Sequence, residues 1–518
     1  MPPRPSRRLF LGGLGALTLT AAARPATAAA GPPPRRLRGV WIATVDHIDW
    51  PPAPGLPEAR LRAAYDDLLD AAAASGANAV FVQVRPTADA FWPSRYEPWS
   101  QWLTGVQGQD PGWDPMRFLA DAAHARGLAF HAWFNPYRIA QHDDPARLAA
   151  DHPARRHPEW TVSYGGRLYY DPGVPAARAF VEQAILDAVA RYAVDGVHLD
   201  DYFYPYPVAG RPFPDDASFA VYGGGTTDRA AWRRRNVDLL IRELRDLVRA
   251  VRPEAAFGVS PFGIWRNAAT DPRGSATAAF QSYDGLYADS LGWVQDGLLD
   301  YVAPQLYWHL GHPQADYAAL ARWWAAQTAG RGTLLWTGQA AYRAGAAGEA
   351  PAWQDPAELS RHLDLDAALP QIGGQILFSA RNVRTDPIGA VARLAADHWH
   401  RPALPPLLPR LADGPPPAAP VLTAADGTLR ITPGGPPPFR YALHRLPPTP
   451  GDRPRLTADT LAACLPAADC ARPLPLPAGR YTATALDRPG RESRPAAPVQ
   501  VQAGGEPPGA RGGASRRH

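Results

Sequence analysis

Short apolar runs and longer amphipathic stretches alternate eight times along most of this 518-residue chain. The apolar runs have the length of buried strands and are Arg38–Val45, Asn78–Arg85, Leu128–Asn135, Gly196–Asp201, Ala256–Phe262, Asp300–Tyr307, Thr333–Gln339 and Gly374–Ala380. Helical periodicity follows each run, at Glu58–Ser75, Asp114–Arg126, Pro175–Tyr192, Asp228–Val251, Ser290–Leu299, Gln314–Thr328, Asp355–Leu369 and Pro387–His398. Eight such units predict an α/β fold, a closed (β/α)₈ TIM barrel over residues 36–400.

Three further regions follow the predicted barrel. Residues 401–416 form a Pro-rich linker, and short runs between Pro and Gly turns in residues 417–503 predict a small all-β sandwich. The Gly/Arg-rich residues 504–518 have the composition of a disordered tail. Cys464 and Cys470 lie close together in the sandwich region, where they either form a disulfide or remain free thiols.

The N-terminal segment, residues 1–30, predicts a twin-arginine signal peptide. It contains Arg7 and Arg8, an apolar run, and the cleavage pattern Ala26-Thr27-Ala28. A membrane anchor is the alternative for this segment. We expect no stable membrane span after its removal, and therefore an extracellular or envelope-associated protein.

Charge gives no reason to expect a nucleic-acid partner. The formal net charge is +4, and residues 1–30 carry four arginines without an acid, so the remainder of the chain is formally neutral. The sequence also lacks an H-E-x-x-H motif and a Cys/His ligand cluster. We therefore expect neither a metal nor a cofactor.

Two adjacent carboxylates, Asp200 and Asp201, end the fourth predicted strand. Catalytic groups of a parallel barrel sit at the C-terminal ends of its strands, so this pair is the leading catalytic candidate. Neighbouring strand residues point to opposite sides, so one aspartate should face the cleft while the other anchors a loop or orients a neighbour. We favour Asp201 as acid or nucleophile and Asp200 as its partner; the alternative is that both only cap the strand end.

Polar and aromatic residues follow the other strands. If the reaction uses a second carboxylate, the first, second and fifth strand ends offer Asp46, Asp49, Asp89, Glu97, Asp271, Asp284 and Asp289. Arg85 ends an apolar strand and should pair with an acid, either Asp89 or a central aspartate. The residues suited to binding a sugar are Arg85, Asn135, Arg138, Tyr202, Trp265, Asp289, Gln305, Tyr307, Trp308 and Gln339.

Several segments, in this order along the chain, resemble one known family. They are Arg38–Val45, Asp49–Pro51, Gln83–Pro86, Tyr96–Trp99, His131–Arg138, His198–Pro205, Ser260–Arg266 and Ala303–Trp308. They are similar to the glycosyl-hydrolase-like 10 family of bacterial envelope proteins, with one departure at His47, where an Asn is expected. The resemblance implies a (β/α)₈ glycosidase acting on cell-wall glycan, specifically peptidoglycan strands that lack stem peptides. Some relatives carry a fibronectin-type-III-like module after the barrel, which agrees with the predicted sandwich.

The barrel is also similar to chitinase-like barrels. In those, a carboxylate after the fourth strand is the acid, and a tyrosine after the sixth strand steadies the acetamido group of the substrate. Tyr307 occupies the corresponding position. This similarity implies that an N-acetyl sugar supplies its own nucleophile and that one protein acid is sufficient.

Three functions remain open from the sequence. A secreted glycosidase follows from the carboxylate pair, the aromatic strand ends and the resemblance. A non-catalytic glycan-binding envelope protein would bind polysaccharide without releasing product, and its binding would survive loss of both aspartates. A metal-dependent deacetylase or hydrolase would lose activity in a chelator.

Overall fold

The computed structural model describes residues 31–448 and 455–502. The predicted signal peptide, residues 1–30, and the predicted tail, residues 504–518, lie outside the described residues. None of the helices in the described ranges has both the length and the apolar character needed to cross a membrane.

Eight parallel strands form a closed barrel, so the predicted (β/α)₈ architecture is confirmed. Each strand pairs with its neighbours in chain order, and the first pairs with the eighth through Leu37 opposite Gly374. The fourth strand ends at Leu199, so the two aspartates begin the loop that follows it. The barrel strands are Leu37–Ile42, Ala79–Arg85, Ala129–Phe134, Gly196–Leu199, Ala256–Val259, Tyr301–Val302, Leu334–Gln339 and Ile372–Leu377.

Helices follow the barrel strands, and the local sequence explains where several of them begin. The side chains of Asp114 and Asp228 cap two helices by accepting from the N–H groups of Arg117 and Ala231, and Pro175 opens a third. The principal helices are Glu58–Ala74, Pro115–Ala125, Pro175–Arg191, Arg229–Val251, Ser290–Gln295, Tyr317–Thr328, Glu358–Ala367 and Ala390–Leu394, the last extended by a π-helical turn, Ala395–Trp399. Shorter helices are Gln101–Thr104, Pro153–Arg156, Asp216–Tyr222, Ser282–Gly285 and Ala380–Thr385.

Aromatic and histidine side chains fill the barrel interior. Tyr301 stacks on Trp336 with ring centroids 4.1 Å apart. Its hydroxyl lies 3.2 Å from Nδ1 of His131 and 3.1 Å from Nδ1 of His198. Gly196 lies opposite His131 on the next strand, and its lack of a side chain makes room for the histidine ring, because a Cβ there would lie 2.2 Å from Nδ1 of His131. A ligand that enters from the C-terminal end of the barrel therefore meets a packed floor.

The insertion after the third strand builds a wall beside the barrel mouth. Its strands Arg138–Ala140, Thr161–Tyr164 and Arg167–Tyr170 form a small antiparallel sheet. Gly165 and Gly166 make the hairpin turn with φ of 59° and 75°, values that glycine adopts without strain. This sheet brings arginine and tyrosine side chains to the C-terminal end of the barrel.

The C-terminal region is an all-β module of two antiparallel sheets with a shared apolar core, as expected. Its likeness to fibronectin type III stays a prediction. Cys464 and Cys470 are free thiols. One sheet contains Val421–Ala425, Thr428–Thr432 and Leu474–Pro475, and the other contains Arg440–Leu446, Leu461–Pro466, Gly479–Leu486 and Val499–Val501.

The linker and the module together form a C-terminal region that lies against the N-terminal end of the barrel and is held there by arginines. Arg488 of the module donates to Oδ1 of Asp195 at 2.6 Å, and Arg410 of the linker donates to Oδ1 of Asp300 at 2.7 Å. Each aspartate also accepts from a backbone N–H of the barrel. Burial opposes ionisation of Asp195, but its contacts with His124 and Arg488 outweigh burial and lower its pKa to about 2.

Candidate active site

A cleft of about 260 Å³ opens at the C-terminal end of the barrel, and all eight strand ends contribute to its wall. The lining residues are Trp41, Ala43, Val45, Ile48, Gln83, Trp133, Arg138, Asp200, Ser260, Gln305, Tyr307, Tyr342 and Phe378. Five of these residues are aromatic, as is common in sites that bind sugar rings. Asp200 is the only carboxylate among these residues, so it is the acidic side chain that a substrate bound in the cleft would contact.

Three N–H donors hold the Asp200 carboxylate in position. Nδ2 of Asn135 donates to Oδ2 at 2.9 Å, and Nε2 of Gln305 donates to Oδ1 at 3.2 Å. The backbone N–H of Asp201 donates to Oδ1 at 2.9 Å. All three donors are uncharged, so they fix the direction of the carboxylate oxygens without neutralising them.

A relay of side-chain amides sets the direction of the bond from Asn135. Oε1 of Gln83 accepts from the backbone N–H groups of Thr44 and Val45 at 2.8 and 2.9 Å, which turns its NH₂ group toward Asn135. Nε2 of Gln83 donates to Oδ1 of Asn135 at 2.6 Å, so the NH₂ group of Asn135 must face Asp200. The first three strands thereby position a carboxylate that follows the fourth.

Asp201 is buried and lines a neighbouring cavity of about 210 Å³ instead of this cleft. The hydroxyl of Tyr206 donates to its Oδ2. Burial and the adjacent charge of Asp200 raise the pKa of Asp201 well above its usual range, although the bond from Tyr206 lowers it. A carboxyl group held toward its protonated form is suited to act as a general acid. One member of the pair lines the cleft, as expected, but it is Asp200, whereas the sequence analysis favoured Asp201 as the acid or nucleophile. The catalytic roles of both stay predictions.

Several residues predicted to bind sugar gather around the two aspartates. Tyr307 lines the cleft, and its hydroxyl has no hydrogen-bond partner within the described ranges. Burial, together with Tyr342 and Asp200, raises the pKa of Tyr307, so its hydroxyl keeps its proton as a donor. The hydroxyl of Tyr202 accepts from Asn135 at 3.0 Å. These placements, with that of Gln305, agree with a polar substrate site.

Arg85 does not reach the cleft, which corrects the expectation that it contacts the substrate. It is fully buried, and its Nε donates to Oε2 of Glu97 at 2.7 Å. Its Nη1 also donates to the backbone oxygens of Asn135 and Pro136 at 2.5 and 2.9 Å. Its acid partner is therefore Glu97, and neither Asp89 nor a central aspartate. Arg85 positions the backbone that carries Asn135.

Four further predicted residues lie outside the cleft lining, which corrects their expected contact with substrate there. Gln339 is buried and donates to the hydroxyl of Tyr317 at 2.6 Å, in the helix layer. Nε1 of Trp265 donates to Oδ1 of Asp289 at 2.9 Å, and Asp289 caps the following helix. Trp308 packs edge-on against a neighbouring phenylalanine, with ring centroids 5.5 Å apart.

None of the acids offered by the first, second and fifth strands lines either cavity, so the expected second carboxylate is not found there. Asp49 instead accepts from the N–H of Ala43 and the hydroxyl of Ser379, which joins the first strand to the eighth. Asp89 is buried away from both cavities, and burial raises its pKa to about 7. In residues 31–448 and 455–502, no group of three or more His, Cys, Asp or Glu side chains is arranged to hold a metal ion.

Three residues of the site are absent from the list of residues that the sequence suggested for binding a sugar. Gln83 was detectable, because a glutamine inside a fully buried apolar strand requires hydrogen-bond partners. Tyr206 carried no signal, since its contact with Asp201 depends on the conformation of the intervening loop. Tyr342 lines the cleft, and its hydroxyl accepts from Nε of Arg343 at 3.1 Å.

Comparison with known proteins identifies close relatives. The family model described as Glycosyl hydrolase-like 10 matches residues 36–355. Glycosyl hydrolase YngK of Bacillus subtilis (strain 168) is 47% identical over 392 residues, covering 75% of this chain and 76% of that protein. Glycosyl hydrolase DigH of Escherichia coli (strain K12) is 40% identical over 362 residues, covering 66% and 82% respectively. Among solved structures, the glycoside hydrolase domain of PgaB (BpsB) from Bordetella bronchiseptica is 15% identical with a TM-score of 0.44, covering 70% of this chain and 99% of that one.

Proposed function

The chain belongs to the glycosyl hydrolase-like 10 family, and from that premise we propose that it is an exported glycoside hydrolase of bacterial cell-wall glycan. The two relatives described above are both named glycosyl hydrolases. The proposed substrate is a peptidoglycan strand without stem peptides, built from N-acetylated sugars, as the family resemblance implies. The proposed export route is the twin-arginine pathway, which the pattern in residues 1–30 supports.

The observation that carries the proposal is the division of the carboxyl pair between two cavities. Asp200 lines the cleft, and Asp201 lines the cavity beside it. One sugar in each cavity would bring the bond between them to the carboxyl pair. Asp201, with its raised pKa, suits proton donation, and Asp200, which is bound by neutral donors, suits stabilisation of positive charge.

In the proposed reaction, Asp201 gives its proton to the glycosidic oxygen as the bond from that oxygen to the anomeric carbon breaks. Because the cleft holds one carboxylate, the acetamido oxygen of the substrate attacks the anomeric carbon and forms an oxazolinium ring. Asp200 accepts a hydrogen bond from the acetamido N–H, and Tyr307 donates to the acetamido oxygen. Ionised Asp201 then takes a proton from the water that opens the ring, which restores the starting state.

Digestion of peptide-free glycan strands by the wild type, Asp200→Asn and Asp201→Asn tests the proposal. We expect new reducing ends from the wild type and a loss of most of this product in both variants. Full activity in both variants would contradict the assignment of the pair. Binding without product release in all three proteins would instead favour a non-catalytic glycan-binding protein.

A further inference from the structure

The cavity beside the cleft, here called the second cavity, has walls from two loops of the barrel mouth. Its lining includes Arg138, Tyr164, Arg167 and Tyr169 from the insertion after the third strand. The loop after the fourth strand contributes Asp201, Tyr202, Pro205, Tyr206 and Val208. Arg138 also lines the cleft, so the two cavities adjoin at this residue.

The lining of the second cavity carries unbalanced positive charge. Within residues 31–448 and 455–502, neither Arg138 nor Arg167 forms an ion pair with a carboxylate. The only acid in the lining is Asp201, which burial and Asp200 hold toward its neutral form. Two arginines that face a cavity without a protein anion are suited to binding a ligand anion.

Arg138 is held in place before any ligand binds. Its Nε and Nη2 donate to the backbone oxygen of Pro86 at 3.1 and 3.0 Å, and its guanidinium lies 5.3 Å from the centre of the Tyr202 ring. A guanidinium has five N–H groups, so these two bonds leave donors free toward the cavity. A side chain that is already ordered loses little conformational entropy when it binds a ligand.

The tyrosines of the second cavity supply the remaining features of a sugar site. Tyr164 is fixed, because its hydroxyl donates to the backbone oxygen of Arg211 at 2.8 Å and accepts from the N–H of Val208 at 2.7 Å. The hydroxyl of Tyr169 has no hydrogen-bond partner among the described residues. Aromatic faces, one free hydroxyl and two guanidinium groups together match a sugar ring that carries an anionic substituent.

We propose that the second cavity binds a carboxylate-bearing sugar on the leaving-group side of the scissile bond, with Arg138 and Arg167 binding its carboxylate. The leaving-group side follows from Asp201, which lines this cavity and is the proton donor of the proposed function. The inference rests on that function, since the cavity is a substrate subsite only if cleavage occurs at the carboxyl pair. It makes the two arginines specificity-determining residues.

The test compares two forms of one glycan. Peptide-free cell-wall strands are used with their carboxylates free, or after carbodiimide coupling to methylamine, which removes the charge and keeps the sugars. We expect the wild type to prefer the free carboxylates by roughly ten- to hundredfold in kcat/KM, the range for one or two charge-assisted hydrogen bonds. Arg167→Gln should lose most of this preference while turnover of the amidated strands stays at the wild-type value. Arg138 also lines the cleft, so Arg138→Gln should lose the preference and also slow the turnover of both strand forms.

Arg211→Gln is the matched control, because Arg211 is a nearby arginine that does not line the second cavity. We expect it to keep the wild-type preference. Equal turnover of both strand forms by the wild type would overturn the inference, as would variants that slow both forms equally. If neither form is hydrolysed, the proposed function fails. Equilibrium binding of the two forms then tests separately whether the two arginines bind the carboxylate. Tighter binding of the free carboxylates that Arg167→Gln abolishes is the expected result, and equal binding of the two forms would overturn this part of the inference.

Discussion

The two ends of the barrel use aspartates in opposite ways. At the N-terminal end, Asp195 and Asp300 accept from backbone N–H groups and pair with arginines of the C-terminal region. At the C-terminal end, Asp200 is bound by neutral donors and Asp201 by a tyrosine hydroxyl. The pKa of Asp195 falls to about 2, whereas that of Asp201 rises. An aspartate at a strand end thus stabilises the fold when an arginine neutralises it, and is suited to proton transfer when none does.

Asp201→Asn should give the largest effect and should separate activity from stability. We expect kcat to fall by roughly 10²- to 10⁴-fold, because the amide cannot donate the required proton. The Tm should not fall, because the substitution removes a buried carboxyl without removing an ion pair. Reducing-end release and thermal denaturation measure the two quantities. A variant that loses its fold together with its activity would break the comparison.

Asp195→Ala should show the reverse behaviour. We expect the free energy of unfolding to fall by about 2–4 kcal/mol, because Arg488 and the N–H of Phe130 lose their shared acceptor. The kcat/KM of the folded protein should stay at the wild-type value. Urea denaturation and glycan digestion check both expectations. A large loss of activity in this variant would show that the two ends are not independent.

The contacts of Asp195 with His124 and Arg488 give the stability of the protein a pH dependence with a defined sign. The pKa of Asp195 in the folded protein, about 2, lies below the usual value for aspartate. Its contribution to stability is therefore complete above that usual value and is lost as the pH falls through about 2. The difference in unfolding free energy between wild type and Asp195→Asn should be largest near pH 7 and should shrink toward pH 2. A difference that stays constant over this range would contradict the ion-pair explanation.

Tyr307→Phe should have an intermediate effect that is confined to the cleft. Removing this free hydroxyl should lower kcat/KM on N-acetylated glycan by roughly ten- to hundredfold. The upper end of this range is the effect expected when an enzyme loses one hydrogen-bond donor to a developing negative charge. Tyr342→Phe is the matched control, because Tyr342 lines the same cleft but its hydroxyl already accepts from Arg343. Equal losses in the two variants would show that the Tyr307 hydroxyl has no special role.

The periodicity of the sequence predicted the barrel because each strand and helix buries its apolar face locally. Strand ends were less predictable, because they depend on where the ladder of backbone hydrogen bonds stops. The fourth strand was expected to reach Asp201 but ends at Leu199, and the sixth contains only Tyr301–Val302. Asp200, Asn135 and Gln305 follow three different strands, and their side chains meet because the strands close into a barrel.

The error at Arg85 has a physical cause in the pairing of the strands. Strand alternation predicts which side a residue faces only while the strand pairing is regular. The pairing of the second and third strands shifts between Gln83 and Arg85, so Gln83 faces the cleft whereas Arg85 turns toward Glu97. Loop contacts such as that of Tyr206 with Asp201 depend on tertiary structure, which no local pattern encodes.

Tyr206→Phe should give the smallest effect and the sharpest test of the acid. The hydroxyl of Tyr206 donates to Asp201 and lowers its pKa, in opposition to burial. Its removal raises that pKa further, and the proposed acid works only while it is protonated. The fall of activity with increasing pH should therefore move to higher pH, while kcat at the optimum changes by less than about tenfold. Profiles of kcat against pH for the wild type and the variant measure this shift. A shift to lower pH, or none, would mean that Asp201 is not the titrating acid, and the contrast between the barrel ends would then rest on Asp200 alone.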